Sequence, residues 1–472
     1  MPFDQILDQC AALRRVLTSH PSETVRRLPE GAATCIEELP GGQRLFFVRD
    51  QGAMQRLARN PALDRGNGVH LLRSIFGPGT LFLMPHGKPH SRRGGEATRL
   101  LRQVQIDALT PEIAARARKA VEEVGRAVAG APEAPVDMHD VILRYLFDVG
   151  ARAITGVDVD LRSEVAVFRR GVDALHREAT SMAKTALAAN LPWTAAWMGK
   201  EARRAALEFH EAGRRMLVAG AARHGLEDTL ALRALKRHGI DPAGVGESTV
   251  FPKEALIDAA MNLAASLFTT ANLIERTLDH FQRHPDELRA LRQMIDADFP
   301  TGAAGVSQLL LCPTLATLIP VMLAHSPVGI VSRDVVDATT FTEGDEDGAG
   351  TRHQLRRGDA VIFDVEGMQA QQVDGLRRQL GEDGRPALEV LNQRHDDVMK
   401  VFFLGRNRCP GRFLAVADSA LFLIDLLSKF DCQSVERSRP LERGIVNRLG
   451  GSPLMRLTPV PPGEAPAAVS PP

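Results

Sequence analysis

Apolar residues recur at three- and four-residue spacing over much of the chain, the mark of helices with one buried face. The longest run, residues 253–284, carries Ala255, Leu256, Ala259, Ala260, Leu263, Leu267 and Leu278 almost all round. A helix apolar on every side is expected to cross the middle of a large domain. Its centre, Ala264-Ala265-Ser266-Leu267-Phe268-Thr269-Thr270-Ala271-Asn272, is rich in small residues that would let a flat ligand reach the backbone. His284-Pro285 closes this helix, and Pro285-Asp286-Glu287-Leu288 opens the next. Helical spacing also predicts elements over residues 3–18, 51–60, 96–109, 136–150, 161–191, 201–222, 312–324 and 413–430. Thr110 and Pro111 read as the cap and first position of a separate helix ending near Val128.

Shorter alternating runs predict strands. Residues 33–39 and 43–48 flank Pro40-Gly41-Gly42 and form a hairpin signal, and residues 329–334, 339–342 and 360–364 are further short strands. Residues 65–95 lose periodicity, with glycine and proline recurring, and read as a long loop. Asp241 to Gly246 is a linker, residues 343–350 an acidic glycine-rich solvent loop, and the proline- and alanine-rich residues 459–472 a disordered tail. No internal repeat divides the remainder. The expectation is one mainly α domain over residues 1–458 with a small β-rich portion.

Composition narrows the function. The 58 basic and 58 acidic residues cancel, which speaks against a nucleic-acid binder or an anionic-membrane partner. Nearly all the cations are arginine, a hint of a GC-rich bacterial genome. Cys10, Cys35, Cys312, Cys409 and Cys432 are odd in number and scattered, without zinc-like spacing, so neither a disulfide framework nor a zinc site is indicated. The N-terminus has no basic segment leading into an apolar run, and nowhere do eighteen apolar residues run together. A soluble, cytoplasmic protein without a membrane anchor is expected.

Chemistry concentrates at residues 402–411, Phe402-Phe403-Leu404-Gly405-Arg406-Asn407-Arg408-Cys409-Pro410-Gly411. Here a lone cysteine sits just before a helix. Its sulfur would meet amide donors and the positive end of the helix dipole, with Arg406 and Arg408 adding positive charge, all favouring a thiolate. A thiolate is a soft metal ligand and one of the axial ligands of haem iron. The spacing Phe402-x-x-Gly405-x-x-x-Cys409-x-Gly411 resembles the haem-ligand loop of cytochromes P450, of the soluble bacterial kind. Asn407 departs from the arginine usual there.

That resemblance implies haem b, with Cys409 on iron and Phe402, Gly405, Arg408 and Gly411 around the ligand loop. It implies that residues 253–284 cross the distal face, with Ala265 close to the ring and Thr269 and Thr270 near the reacting oxygen. Arg333, six residues after Pro327, matches a propionate-binding arginine. A second anchor falls either on His90 and Arg93 or, in a rival register with Ala97 in the histidine position, on Arg102. Gly94-Gly95 is expected to break any helix carrying the first pair. Two family features are missing. Phe268 occupies the position of the acid that relays protons with the threonine. The Glu-x-x-Arg pair falls on Val321 and Ala324, and residues 299–332 hold no acid, lysine or arginine. Arg394, the usual tie of that pair, would need another partner, with Asp396 and Asp397 candidates.

The resemblance implies a monooxygenase of a small organic substrate in bacterial specialised metabolism, with electrons from ferredoxin and ferredoxin reductase. Phe268 weakens that default and favours peroxide-driven oxidation, or a redox-neutral rearrangement or dehydration. A haem-binding scaffold that partners another enzyme is the alternative outside enzymes, and the thiolate argues against it.

Overall fold

The computed structural model describes residues 33–38, 42–65, 73, 81, 84–159, 162–170, 173, 200–222, 228–299, 313–325, 328, 330–343, 350–369, 402, 408–436, 439–442 and 448–460. The helices expected over residues 3–18 and most of 161–191, Arg394, and the tail beyond residue 460 lie outside them. The chain is mainly helical, with small sheets, as the periodicity predicts.

Strands β1 (Thr34–Glu38) and β2 (Arg44–Val48) form the expected antiparallel hairpin, followed by α1 (Gln51–Arg59) and β3 (Leu63–Arg65). Helices α2 (Lys88–Leu100), α3 (Gln103–Gly130), α4 (Met138–Thr155), α5 (Lys200–Ala221) and α6 (Leu230–Arg237) come next, with the short strand β4 (Val136–Asp137) leading into α4. The central helix α7 (Lys253–Arg283), then α8 (Pro285–Asp298) and α9 (Pro313–Ala324), lead to β5 (Ile330–Val335), β6 (Thr339–Thr342), β7 (Arg352–Leu355) and β8 (Ala360–Asp364). Helix α10 (Arg412–Leu427) follows the cysteine loop, and β9 (Phe430–Ser434), β10 (Leu441–Glu442), β11 (Arg448–Leu449) and β12 (Leu454–Pro459) complete the chain. The main sheet has the order β1-β2-β8-β5-β3, with β2 and β8 parallel and its other pairings antiparallel. A second sheet, β4-β12-β9, carries Pro459 paired with Phe430, so the ordered chain reaches past the expected boundary at 458.

Helix α7 is apolar all round because it is packed all round: α4, α5, α6, α8, α9 and α10 lie against it. Two glycines set how close its neighbours come. A Cβ on Gly213 of α5 would sit 2.4 Å from the Leu256 carbonyl oxygen, and one on Gly150 of α4 would sit 2.7 Å from Leu263 Cδ1. Helix α9 is held without charge on its own residues. Leu315, Leu318, Ile319, Met322 and Leu323 are buried in the main core. Asp298 of α8 accepts from the Thr314 amide at 3.1 Å and its hydroxyl at 2.6 Å, and the His325 ring meets His280 of α7 at 4.6 Å.

Two expectations are corrected. Helix α2 runs through Gly94-Gly95 without a break. Two glycines cost such a helix roughly 1 kcal/mol each, but buried His90, Glu96 and Ala97 fasten it on both sides of the pair. Thr110-Pro111 does not begin a helix: α3 passes through both, and the break comes instead at residues 101–102. Thr110 donates its hydroxyl to the Ile106 carbonyl at 2.9 Å, and buried Ile106, Ile113, Ala114 and Ala117 carry one face of α3 across the proline. Helix α6 and strands β7, β9 and β12 were not anticipated, being short segments without a sustained period.

Candidate functional site

The sequence places Cys409 where a loop becomes a helix, and the fold makes that junction tight. The Cys409 amide donates to the Phe402 carbonyl at 2.8 Å, closing the loop on itself. Phe402 is partly buried against the main core, while Arg408 is exposed. Gly411 is the N-cap of α10, and its amide donates to the Cys409 sulfur. Gly405 lies outside the described residues.

Burial pushes the Cys409 thiol up, and the Gly411 amide and the Arg412 guanidinium pull it back without cancelling that rise. The Gly411 amide pulls toward the thiolate, in the direction expected of the helix start; a bound metal cation would deprotonate the sulfur outright. Arg412 was not singled out from the sequence. It is almost wholly buried, donates to the Cys409 carbonyl at 3.1 Å and lies 4.3 Å over the Phe413 ring. A run of C-P-G-R entering a helix was the available signal.

Helix α7 supplies the other wall. Among its described side chains from Ala255 to Gln282, only Ala265 is exposed, in the middle of an otherwise covered helix. One turn on, Thr269 is partly buried and donates to the Ala265 carbonyl at 3.1 Å. Thr270 is buried, and its hydroxyl has no partner among the described residues. The side chain of Phe268 lies outside the described set. Ala265, Thr269 and Thr270 thus lie on the helix against which the cysteine's own helix, α10, packs.

The expected carboxylate anchors separate. Arg333 is buried on β5, opposite Val361 of β8 and Arg65 of β3, and donates to the Ser332 carbonyl at 2.6 Å. His90 is buried on α2, with the His86 ring edge-on at 5.1 Å. Arg93 is engaged by Asp258 of α7. The same carboxylate takes Arg237 at 2.5 Å, and Arg237 also reaches Glu96 at 3.0 Å, so α2, α6 and α7 share one ion network. Burial alone would raise the Asp258 carboxyl; His238, Arg93 and Arg237 outweigh it and hold the group low. In the rival register Arg102 is exposed and bonded to Gln105, and Ala97 offers a methyl group to the interior.

No family model matches this chain. It is 22% identical over 183 residues to the cytochrome P450 monooxygenase roqO of Penicillium rubens, covering 38% of this chain and 36% of that protein. It is 26% identical over 192 residues to the cytochrome P450 monooxygenase esdpI of Penicillium shearii, with the same coverage. The chain is distantly similar to cytochrome P450 monooxygenases, over little more than a third of their length. Both relatives are fungal, so they do not repeat the bacterial character suggested by the arginine-rich composition. No helix among the described residues is long and apolar enough to cross a membrane.

Proposed function

We propose that the chain is a haem-thiolate oxidoreductase of the cytochrome P450 kind, acting on a small organic molecule. The observation that carries this reading is Cys409, held at the head of α10 with the Gly411 amide on its sulfur. Bound haem would supply one- and two-electron oxidation chemistry, tuned by the Cys409 sulfur that would hold it. This chain's residues would do the rest. The Phe402 carbonyl and Gly411 amide fix the sulfur, Ala265 leaves room against α7, and Arg333 and His90 hold acidic groups. The Thr270 hydroxyl is free to donate to a ligand oxygen. Ferredoxin and its reductase are the expected electron source.

A second reading, peroxide-driven oxidation or a redox-neutral rearrangement, is favoured by Phe268. An apolar residue there removes the carboxyl that would pass protons to Thr269 or Thr270, and such a loss typically costs about 10² to 10⁴ in rate. The test is the reduced protein's carbon monoxide difference spectrum. The red-shifted band of a thiolate-ligated ferrous carbonyl is expected in wild type and absent in Cys409→Ala. An imidazole-type spectrum would refute the ligand. Product formed per NAD(P)H consumed, against product formed from added peroxide, then separates the two readings; tight coupling would remove the second.

A further inference from the structure

The sheet edge beside α2 holds a device that neither the Cys409 loop nor α7 explains. Asp64 lies on the edge strand β3, directly opposite Asp334 of β5. Like charges facing each other across a ladder are unfavourable, so this pair calls for donors. His86 supplies two to one oxygen: its amide lies 3.0 Å from Asp64 Oδ1, and its ring Nδ1 lies 3.1 Å from the same atom. Gly87 follows with φ 156°, a conformation that L side chains rarely adopt, and α2 starts at once. The turn brings the buried His90 ring edge-on to His86 at 5.1 Å with 63° between the planes. His86 thus links Asp64, through its ring and amide, to the His90 ring. Asp64 and Arg333 face opposite sides of this edge by strand alternation.

We propose that Asp64 is the positioning residue of a carboxylate-binding subsite at His90, acting through His86. This rests on the haem reading above, in which the carboxylate is one of the cofactor's two propionates. Asp64 touches no ligand; it holds the His86 ring so that His90 presents an N–H in one fixed direction. The main sheet thereby takes part in seating the cofactor from the side remote from Cys409's helix.

The test uses the full chain freed of haem, titrated with ferric haem and separately with haem dimethyl ester, in which both carboxylates are masked. Asp64→Ala is expected to weaken haem binding about tenfold to a hundredfold, the range for losing a charge-assisted hydrogen bond, and to leave diester binding unchanged. Asp64→Asn keeps an acceptor oxygen for the His86 amide and is expected to restore most of the loss. His86→Phe keeps the ring contact and the amide bond to Asp64 but loses the Nδ1 bond, and is expected to weaken haem binding in the same direction as Asp64→Ala. In a His90→Phe background, Asp64→Ala is expected to have no further effect on haem. Equal weakening toward haem and its diester marks a merely structural role and overturns the inference, as does unchanged haem binding in both Asp64→Ala and His86→Phe. Wild type that takes up no haem, or shows no thiolate spectrum, overturns the reading beneath it and the inference with it.

Discussion

Two helices run through the interior, and they treat their acids in opposite ways. Helix α7 buries Asp258 and Glu275, and each is met by cations. Glu275 accepts from the His139 ring and, at 3.0 Å, from Arg439, whose remaining N–H groups cap the Leu449 and Gly450 carbonyls. Burial would push Glu275 up, but His139 and Arg439 hold it below the ordinary carboxylate range. Helix α10 buries Asp418 with no cation beside it among the described residues. One of its oxygens and the neighbouring Ser419 hydroxyl have no partner among those residues, and burial drives the Asp418 carboxyl well up. The paired acids tie distant segments together, with their carboxyls held low; the Asp418 carboxyl has no such tie among the described residues, and burial drives it up. A helix can thus be carried through the core by ionic ties or by apolar packing, and this molecule uses both side by side. Helix α9, which carries no charged residue, goes furthest toward packing, and the ionic ties sit on α7 instead.

The sharpest way to break the contrast is to strand a charge on α7. Arg439→Ala leaves Glu275 buried with half its compensation, and is expected to cost about 3–5 kcal/mol in chemical denaturation. Glu275→Ala is expected to cost a similar amount, by stranding Arg439. The Glu275→Leu, Arg439→Met pair, which removes both charges, is expected to recover most of the loss. If each single variant cost under 1 kcal/mol, the ionic tie would be decoration.

Acid titration comes next in size. Asp258 and Glu275 have folded-state values lowered from 3.8 and 4.5. Their contribution is fully present above those unfolded values and is lost as pH falls through the lower folded ones. Asp418 has the opposite sign. Its folded value is raised from 3.8, so it costs nothing below that pH and costs progressively more as pH rises. Denaturation midpoints measured from pH 3 to 9 are expected to fall at the acid end, and this fall is expected to shrink in the Glu275→Leu, Arg439→Met pair.

The smallest effect is a gain. Asp418→Asn is expected to add about 1–3 kcal/mol at neutral pH, since a buried group lacking a partner carries a cost of that order when it must also be kept from ionising. The gain is expected to vanish near pH 3.5. Destabilisation at neutral pH would mean that an ionised Asp418 has a role in the native state.

Much of this was legible in the sequence. Sustained periodicity marked α7, α8, α9 and α10, and the Pro40-Gly41-Gly42 turn marked the β1–β2 hairpin. The cysteine loop was legible because its residues are contiguous. What failed were local rules overruled from afar. Gly94-Gly95 and Pro111 are helix breakers by propensity, but both sit in helices held by residues they cannot see in sequence. The partners in the ion networks are equally hidden: Arg93 and Asp258 stand 165 positions apart, and Glu96 and Arg237 stand 141 apart. Nor did composition single out Asp64 or His86, which become meaningful only once β3 and the start of α2 lie together.

The tie between Glu275 and Arg439 also has a consequence in time. Arg439 follows Glu275 by 164 positions, and at translation rates of about 5–20 residues per second it emerges on the order of ten seconds or more after it. For that interval the nascent α7 carries an acid whose cation has not yet been made. The helix cannot close its final packing before the C-terminal strands arrive, so the centre of the fold is assembled early and sealed late. Ribosome-bound intermediates stalled short of residue 439 should accordingly remain open to protease around α7, however complete their helices.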